Sequence, residues 1–251
     1  MIIFAIIVVL TLYTIQRAKQ GHVREVRSLA GMDGIKEAIA RSAEMGRPCF
    51  FTTGHGGGGL YTTNGPAHMA GISLLDFSAR ECARTGTKIV TCWPFPELVP
   101  IAQDVIEHAY VAAVGNADVP SDSVRFLSTY ALAYKMGWMG QLYRERAGSV
   151  LTLGPVWPSD ALQMTEPGVM IGALQVGGAP GMDTMSMLAL TCDYIFIGEE
   201  LYSAGAMASG DPVQLGTLFG SDVLKVGFII LVVAGFILTT MGIKIGTIFN
   251  L

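Results

Sequence analysis

Short apolar runs alternate with longer amphipathic stretches through the middle of the chain. Runs of about five residues, such as CFFTTG at 49–54 and KIVTCW at 88–93, are separated by stretches of roughly ten to twenty residues with helical periodicity. Because the short runs are apolar at successive positions, they are typical of strands covered on both faces of a parallel sheet. The pattern predicts an α/β fold, a Rossmann-like three-layer domain with a mostly parallel sheet of about six strands whose order the sequence leaves open.

The predicted strands are CFFTTG, KIVTCW, VRFLS, SVLTLG, VMIGALQVG and DYIFIG. Helices are predicted over residues 28–46, 66–84, 96–113, 130–146, 178–192 and 199–208. A polar loop containing PVWPSD is expected between the fourth and fifth strands, and a short helix after Asp211-Pro212.

Both ends of the chain are apolar and uncharged over long stretches. MIIFAIIVVLTLYTI covers residues 1–15 and VGFIILVVAGFILTTMGI covers 226–243, whereas about 20 apolar residues cross a bilayer. Charged residues make up 14% of the chain, against roughly 25% in an average soluble domain. We therefore expect an N-terminal transmembrane helix over 1–16, a cytoplasmic α/β domain over 17–224, and a C-terminal transmembrane helix over 225–251.

The flanking charges predict the orientation of the two spans. Arg17, Lys19, Arg24 and Arg27 follow the first apolar segment, and Lys225 precedes the second. The positive-inside rule then places the main domain in the cytoplasm of a two-pass protein of the cell membrane. A cleaved signal peptide is the less favoured alternative, because no basic residue precedes the apolar stretch and no small-x-small cleavage site follows it.

The stretch TTGHGGGGLYTTNGP, from Thr52 to Pro66, links the first strand to a helix and contains four consecutive glycines. Glycine allows close backbone approach, and free amides at a helix N-terminus favour an anion. The stretch is interpreted either as a phosphate or carboxylate cradle or as a demanding turn that packs on a neighbouring subunit. The candidate ligand-binding residues here are Thr53, Gly54, His55, Gly56, Gly57, Gly58, Gly59, Asn64 and His68.

Loops after later strands supply further candidates. They are Gly178, Asp183, Glu199 and Glu200. The acids begin helices, where the helix dipole by itself explains them, but carboxylates also bind ligands or transfer protons. Trp93, Trp138 and Trp157 are candidates for pocket walls or for covers over the strand ends.

The sequence contains no established catalytic or metal motif. It lacks G-x-x-x-x-G-K-[ST], G-x-S-x-G and a His-x-x-x-His pair, so no catalytic residue, metal site or cofactor is assigned. The cysteines form no Cys-x-x-Cys pair and are interpreted as buried reduced thiols. They are Cys49, Cys82, Cys92 and Cys192.

Several motifs together resemble a prokaryotic family of membrane-anchored α/β proteins known only as a domain of unknown function. The motifs are FFTTGHGGGGL, HMAGISLLDFSAR, SVRFLSTYALAYKMGWMGQL, IGALQVGGAPGM and CDYIFIGEELYSAGAMAS. The resemblance covers nearly the whole chain and implies the α/β fold and the membrane anchoring. It implies no activity, so no functional residue is carried over from it.

The sequence is consistent with two functions. It does not decide whether the protein is an enzyme. The first is a structural or scaffold subunit that self-assembles or joins a larger membrane complex, because YSAGAMASG and GGAPGMDTMSMLAL are rich in small residues that let backbones approach closely. The alternative is a protein or enzyme that binds a nucleotide or phosphorylated metabolite through the glycine loop. A transporter is less favoured because neither span contains an acid, and the net charge of −4 excludes nucleic acid as an expected partner.

Overall fold

A computed structural model describes residues 2–21, 29–115, 119–120 and 122–240, with the side chains of 2–6 and 238 left aside. Arg24 and Arg27, together with residues 241–251 of the expected C-terminal span, lie outside these ranges. The chain divides into two compact units, one formed by 1–25 with 210–251 and the other by 26–209.

The described helices and strands follow the predicted alternation. The helices are α1 (Ile2–Lys19), α2 (Ala30–Met45), α3 (Gly65–Thr85), α4 (Leu98–Val114), α5 (Ala131–Glu145), α6 (Pro158–Ile171), α7 (Met182–Leu188), α8 (Glu200–Ser209) and α9 (Pro212–Thr240). The strands are β1 (Cys49–Thr52), β2 (Ile89–Trp93), β3 (Val124–Phe126), β4 (Ser149–Leu153), β5 (Leu174–Ala179) and β6 (Tyr194–Ile197).

The strands form a parallel six-stranded sheet in the order β3-β2-β1-β4-β5-β6. Phe51 of β1 pairs with Thr91 of β2 on one side and with Leu151 of β4 on the other. Every residue of β1, β2, β4 and β5 is buried, which explains why these strands are apolar without alternation. The predicted parallel α/β fold is confirmed.

Successive residues of β1 enter two different hydrophobic layers. Phe51 packs in a core with side chains of α2, α3, α4 and α8, whereas Phe50 packs in a second core with side chains of α5, α6 and α7. The largest buried side chains include Trp93 in the first layer and Trp138 in the second. These two tryptophans therefore belong to the core.

Between β4 and β5 the secondary structure differs from the prediction. Residues 169–171 were predicted as the start of a strand, but they form the last turn of α6, which occupies the expected polar loop. Pro158 begins this helix and Gly172 ends it in a left-handed conformation at φ 70°. A short apolar run fits a helix or a strand equally well, and here the helix boundaries decide. Similarly, the expected short helix after residue 212 is part of the continuous 29-residue helix α9.

The small residues of α8 are used inside the α/β unit. A Cβ added to Gly205 would lie 2.9 Å from the Cα of Ala70 on α3, so the two helix backbones are in close contact. Ala204, Gly205 and Ala206 are buried there. This stretch, predicted to offer a surface to other subunits, packs against the same chain.

The other unit pairs α1 with α9. Gly216 lies against the backbone of Ile15, and Gly220 lies against Thr14 and Thr11, which makes the two helices antiparallel. Among the described residues, one helix is long and apolar enough to cross a membrane, over Pro212–Ile237 with a mean hydropathy of 2.0. Of the two expected spanning helices, the C-terminal one therefore has the required length and composition, and the two-pass arrangement is not confirmed.

Candidate functional site

A cleft lies at the carboxyl ends of the central strands, where the strand order reverses between β1 and β4. Ligands of open α/β sheets bind at such a switch point. The cleft has a volume of about 140 Å³ and is bounded by three loops. The loop after β1 contributes Gly56 and Asn64, and the loop after β4 with the start of α6 contributes residues 155–158. The loop after β5 contributes Pro180 and Gly181, and the first turn of α7 contributes Asp183 and Thr184.

Glycines bring the loops after β1 and β4 into direct contact. Gly54 has φ 82°, and a Cβ at this position would overlap the side chain of Val156. Two residues later, the amide of Gly56 donates a 2.7 Å hydrogen bond to the carbonyl of Pro155. The close approach of these backbones forms one wall of the cleft.

The four-glycine run forms a tight turn that side chains of the same loop close. Gly57 and Gly58 adopt left-handed conformations, with φ 68° and 90°. The amide nitrogen of the Asn64 side chain donates to the carbonyl of Gly56 at 3.4 Å. The hydroxyl of Thr62 donates to the carbonyl of Gly59 at 2.8 Å. The backbone conformation therefore requires glycine at positions 57 and 58.

His68 stabilises the same loop by two hydrogen bonds. Its side chain is fully buried on α3, and Nε2 donates to the carbonyl of Gly58 at 3.0 Å. Nδ1 therefore carries the lone pair and accepts from the hydroxyl of Thr53 at 2.9 Å. Burial lowers the pKa of His68 and keeps the ring neutral. Both nitrogens are occupied within the protein, so His68 and Thr53 support the loop.

His55 lies to the other side of the loop, toward β2 and β3. Its Nε2 donates to the carbonyl of Thr129 at 2.8 Å. Its ring centroid lies 5.2 Å from that of Phe95 and 5.8 Å from that of Tyr134. The half-buried imidazole is thus held in an aromatic cluster and does not line the cleft.

A carboxylate lies over the glycine run. A Cβ at Gly59 would overlap an oxygen of Glu97, so the side chain of Glu97 fills the space beside this glycine. A negative charge at that point opposes the binding of a phosphate to the neighbouring amides. The turn interpretation of the glycine run therefore agrees better with the electrostatics than the phosphate cradle.

The remaining candidates divide between the cleft and the sheet edge. Asp183 lines the cleft, and its Oδ1 accepts the amide of Thr184 at 2.9 Å. Gly178 is a buried strand residue whose carbonyl accepts the amide of Gly154 at 2.9 Å. Glu200 accepts the amide of Ile197 at 2.9 Å, as expected of an acid that begins a helix. The adjacent Glu199 lies with it at the end of β6.

The cleft also contains residues that were not among the ligand-binding candidates. The hydroxyl of Thr184 donates to the carbonyl of Val156 at 2.9 Å and so joins the first turn of α7 to the loop after β4. Trp157 lines the cleft and is 53% exposed. The sequence identifies it only as a candidate for a pocket wall or for a cover over the strand ends. A tryptophan between two prolines was the available signal for this loop.

A chain of hydrogen bonds lies beneath the loops. The amide of Gly54 donates to Thr52 Oγ1 at 2.9 Å, Thr52 Oγ1 lies 2.5 Å from the hydroxyl of Tyr134, and that hydroxyl donates to the carbonyl of Cys92 at 3.2 Å. Burial raises the pKa of Tyr134, so this phenol stays protonated. In contrast, the buried hydroxyl of Thr152 has no hydrogen-bond partner among the described residues.

The described residues contain no group of three His, Cys, Asp or Glu side chains that could hold a metal ion. The four cysteines are free thiols, three of them buried and Cys192 half-buried. Burial raises the pKa of Cys92 and of Cys192 to about 12, so neither thiol is a reactive thiolate near neutral pH.

Comparison with known proteins identifies a family and no characterised relative. No curated protein matches the chain, and no solved structure matches it. One family model matches residues 1–249, which is nearly the entire sequence. The chain therefore belongs to the family described as Domain of unknown function (DUF6754).

Proposed function

We propose that this protein is a membrane-anchored binding protein whose α/β unit holds a small molecule in the cleft between β1, β4 and β5. The observation that carries the proposal is the coincidence of the cleft with the switch point of the sheet. Asn64, Asp183 and Thr184 provide polar groups around it, and prolines provide rigid apolar walls. Such a mixture is typical of small-molecule sites.

The size of the cleft limits the ligand. Its volume is about 140 Å³, and an apolar cavity of about 150 Å³ holds benzene. The bound group therefore has about six non-hydrogen atoms. A complete nucleotide would extend beyond the cleft, and Glu97 opposes a phosphate on the glycine run. These points favour a small ligand over the nucleotide expected as the alternative function.

Native mass spectrometry tests whether the protein retains a bound small molecule. The full chain is extracted in mild detergent from its own membrane. We expect a reproducible small added mass that disappears when Asn64→Phe fills the cleft. The matched control is Thr63→Phe, because Thr63 is an exposed neighbour that does not line the cleft. An added mass that persists in Asn64→Phe, or no added mass in any form of the protein, contradicts the proposal.

The membrane attachment is proposed to involve both ends of the chain. The exposed apolar helix over Pro212–Ile237 supports one span, and α1 packs against it with Arg17 and Lys19 in its last turn. These charges favour a two-pass topology with the α/β unit in the cytoplasm. Reporter fusions after residues 120 and 251 test it: we expect the first to be active only as a cytoplasmic reporter and the second only as an external one.

A scaffold role is the second candidate, favoured by large apolar side chains exposed at the carboxyl edge of the sheet. Tyr61 is 92% exposed and Met182 is 74% exposed. Tyr130, Trp157 and Ile197 lie on loops or strand ends of the same edge and are also exposed. Such patches are typical of interfaces. A homo-oligomer in mild detergent that dissociates in Tyr61→Ser/Met182→Ser supports this role, and a monomer at all concentrations contradicts it.

A further inference from the structure

We propose that the cleft selects a positively charged ligand, a small organic ammonium ion, with the carboxylate of Asp183 as its counterion and the indole of Trp157 as its aromatic contact. The inference rests on the proposed function, because it names the ligand class of the same cleft. Its basis is the set of side chains that the fold brings together there.

The cleft is lined by an acidic side chain. Asp183 is the acidic side chain among the residues that line the cleft, and these residues include neither lysine nor arginine. One carboxylate oxygen of Asp183 accepts the amide of Thr184, and the other has no hydrogen-bond partner among the described residues. An unpaired carboxylate in a cleft attracts a cation and repels an anion.

The residues that directly follow the strand ends provide no positive charge to pair with Asp183. The loops that leave the carboxyl ends of the described strands, together with the first turns of the helices that follow them, contain acids but neither Lys nor Arg. The acids are Glu97, Asp160, Asp183, Glu199 and Glu200. Lys135 on α5 approaches this edge, and its Nζ lies 2.7 Å from Asp160, where both side chains are largely buried. That ion pair leaves the charge of Asp183 available to a ligand.

The walls of the cleft are largely apolar. Trp157 presents a half-exposed indole at the cleft, beside Pro155, Pro158 and Pro180. The face of an indole attracts a cation within about 6 Å by its quadrupole. Rigid proline rings favour the methyl or methylene groups that surround an organic ammonium nitrogen. A simple metal ion would not use these walls, and the described residues offer it no cluster of acidic or imidazole ligands.

The experiment compares two probes of the same shape that differ in charge. Choline carries a quaternary ammonium group, and 3,3-dimethyl-1-butanol replaces the charged nitrogen by carbon. Calorimetric titration uses the full chain in mild detergent, with inorganic phosphate as the anionic probe. We expect choline to bind with a Kd about tenfold lower than the neutral alcohol, because it gains both the carboxylate and the indole contact. We expect no binding of phosphate.

Three variants assign the selectivity to named groups. Asp183→Asn should raise the Kd of choline at least about fivefold while leaving that of the neutral alcohol unchanged. Trp157→Leu keeps an apolar wall and should also weaken choline selectively. Glu166→Gln is the matched control. It removes one exposed negative charge on α6, the helix that follows Trp157, at a position outside the cleft, and this variant should bind choline like the unchanged protein.

The outcomes separate this inference from the proposal it rests on. Equal binding of choline and the neutral alcohol, abolished in both cases by Asn64→Phe, overturns the selection of a cation but leaves a small-molecule cleft. Preferential binding of phosphate also overturns it. If neither organic probe binds and the protein retains no added mass after extraction, the binding function itself fails.

Discussion

The Nε2 atom of His68 donates a 3.0 Å hydrogen bond to the carbonyl of Gly58, ten residues earlier in the chain. The ring belongs to α3 and the carbonyl to the four-glycine turn, so this bond holds the turn against the helix that follows it. Since the other ring nitrogen accepts from Thr53, the imidazole must remain neutral to keep both bonds in their present form.

The stability of the α/β unit should therefore depend on the protonation of His68. Burial lowers its pKa in the folded protein below the ordinary 6.5, so the unfolded chain takes up the proton first as the pH falls. The contribution of neutral His68 is complete above pH 6.5 and decreases as the pH falls below this value toward the pKa of the folded state. Urea unfolding between pH 5 and pH 8, followed by tryptophan fluorescence of the full chain in mild detergent, measures it.

His68→Gln should lower the free energy of unfolding at pH 8 and flatten its decrease below pH 6.5. His108→Gln serves as the control because His108 is exposed and the backbone carbonyl and carboxylate of Asp104 raise its pKa, which gives a dependence of opposite sign. An unchanged slope in His68→Gln would rule out His68 as the group that titrates.

Thr52 and Thr152 are register partners on β1 and β4 with opposite hydrogen-bonding states. The hydroxyl of Thr152 is buried without a partner among the described residues, whereas that of Thr52 is bonded to Gly54 and Tyr134. Thr152→Val should raise the free energy of unfolding by about 1 kcal/mol, and Thr52→Val should lower it by about 1–3 kcal/mol. Equilibrium unfolding measures both, and a loss of stability in Thr152→Val as large as in Thr52→Val would contradict the assignment.

Gly57 should be sensitive to a single methyl group for two reasons that can be separated. Its φ of 68° disfavours any side chain, and a Cβ would overlap the amide of Asn64. Gly86 has a similar φ of 70° with nothing within 4 Å, so Gly86→Ala measures the backbone strain alone, about 1–2 kcal/mol. Gly57→Ala should lower the free energy of unfolding further, and the excess should diminish in Gly57→Ala/Asn64→Ala. Equal losses at the two glycines would show that the overlap is relieved without cost.

Gly216 should be needed for the contact between α1 and α9. A Cβ there would lie 2.6 Å from the Cα of Ile15, so Gly216→Leu separates the helices. Thr14→Cys/Gly220→Cys should form an intramolecular disulfide in membranes, because these positions are in contact. We expect Gly216→Leu to abolish this cross-link. The control is Gly227→Leu on the same helix, where nothing lies within 4 Å, and equal cross-linking in both would refute the close packing.

The comparison of α6 with β1 shows where sequence patterns suffice. Phe50 and Phe51 are both apolar and adjacent, which predicts a strand buried on two faces, and the two side chains do enter opposite layers. Val169 and Met170 are equally apolar, but they are exposed on the last turn of α6. Hydrophobicity alone did not distinguish these cases, because the choice depends on whether neighbouring strands cover the segment.

The sequence by itself determined the parallel α/β architecture, an apolar C-terminal helix and the location of the glycine turn, because periodicity and glycine conformation are local properties. Only the tertiary structure decided which candidates form a site. Asn64, Trp157 and Asp183 lie far apart in the chain and meet because β1, β4 and β5 are neighbours in the sheet. His68 is occupied within the protein because the fold buries it beside Gly58. Strand order and burial depend on contacts between distant segments, and a local pattern does not contain them.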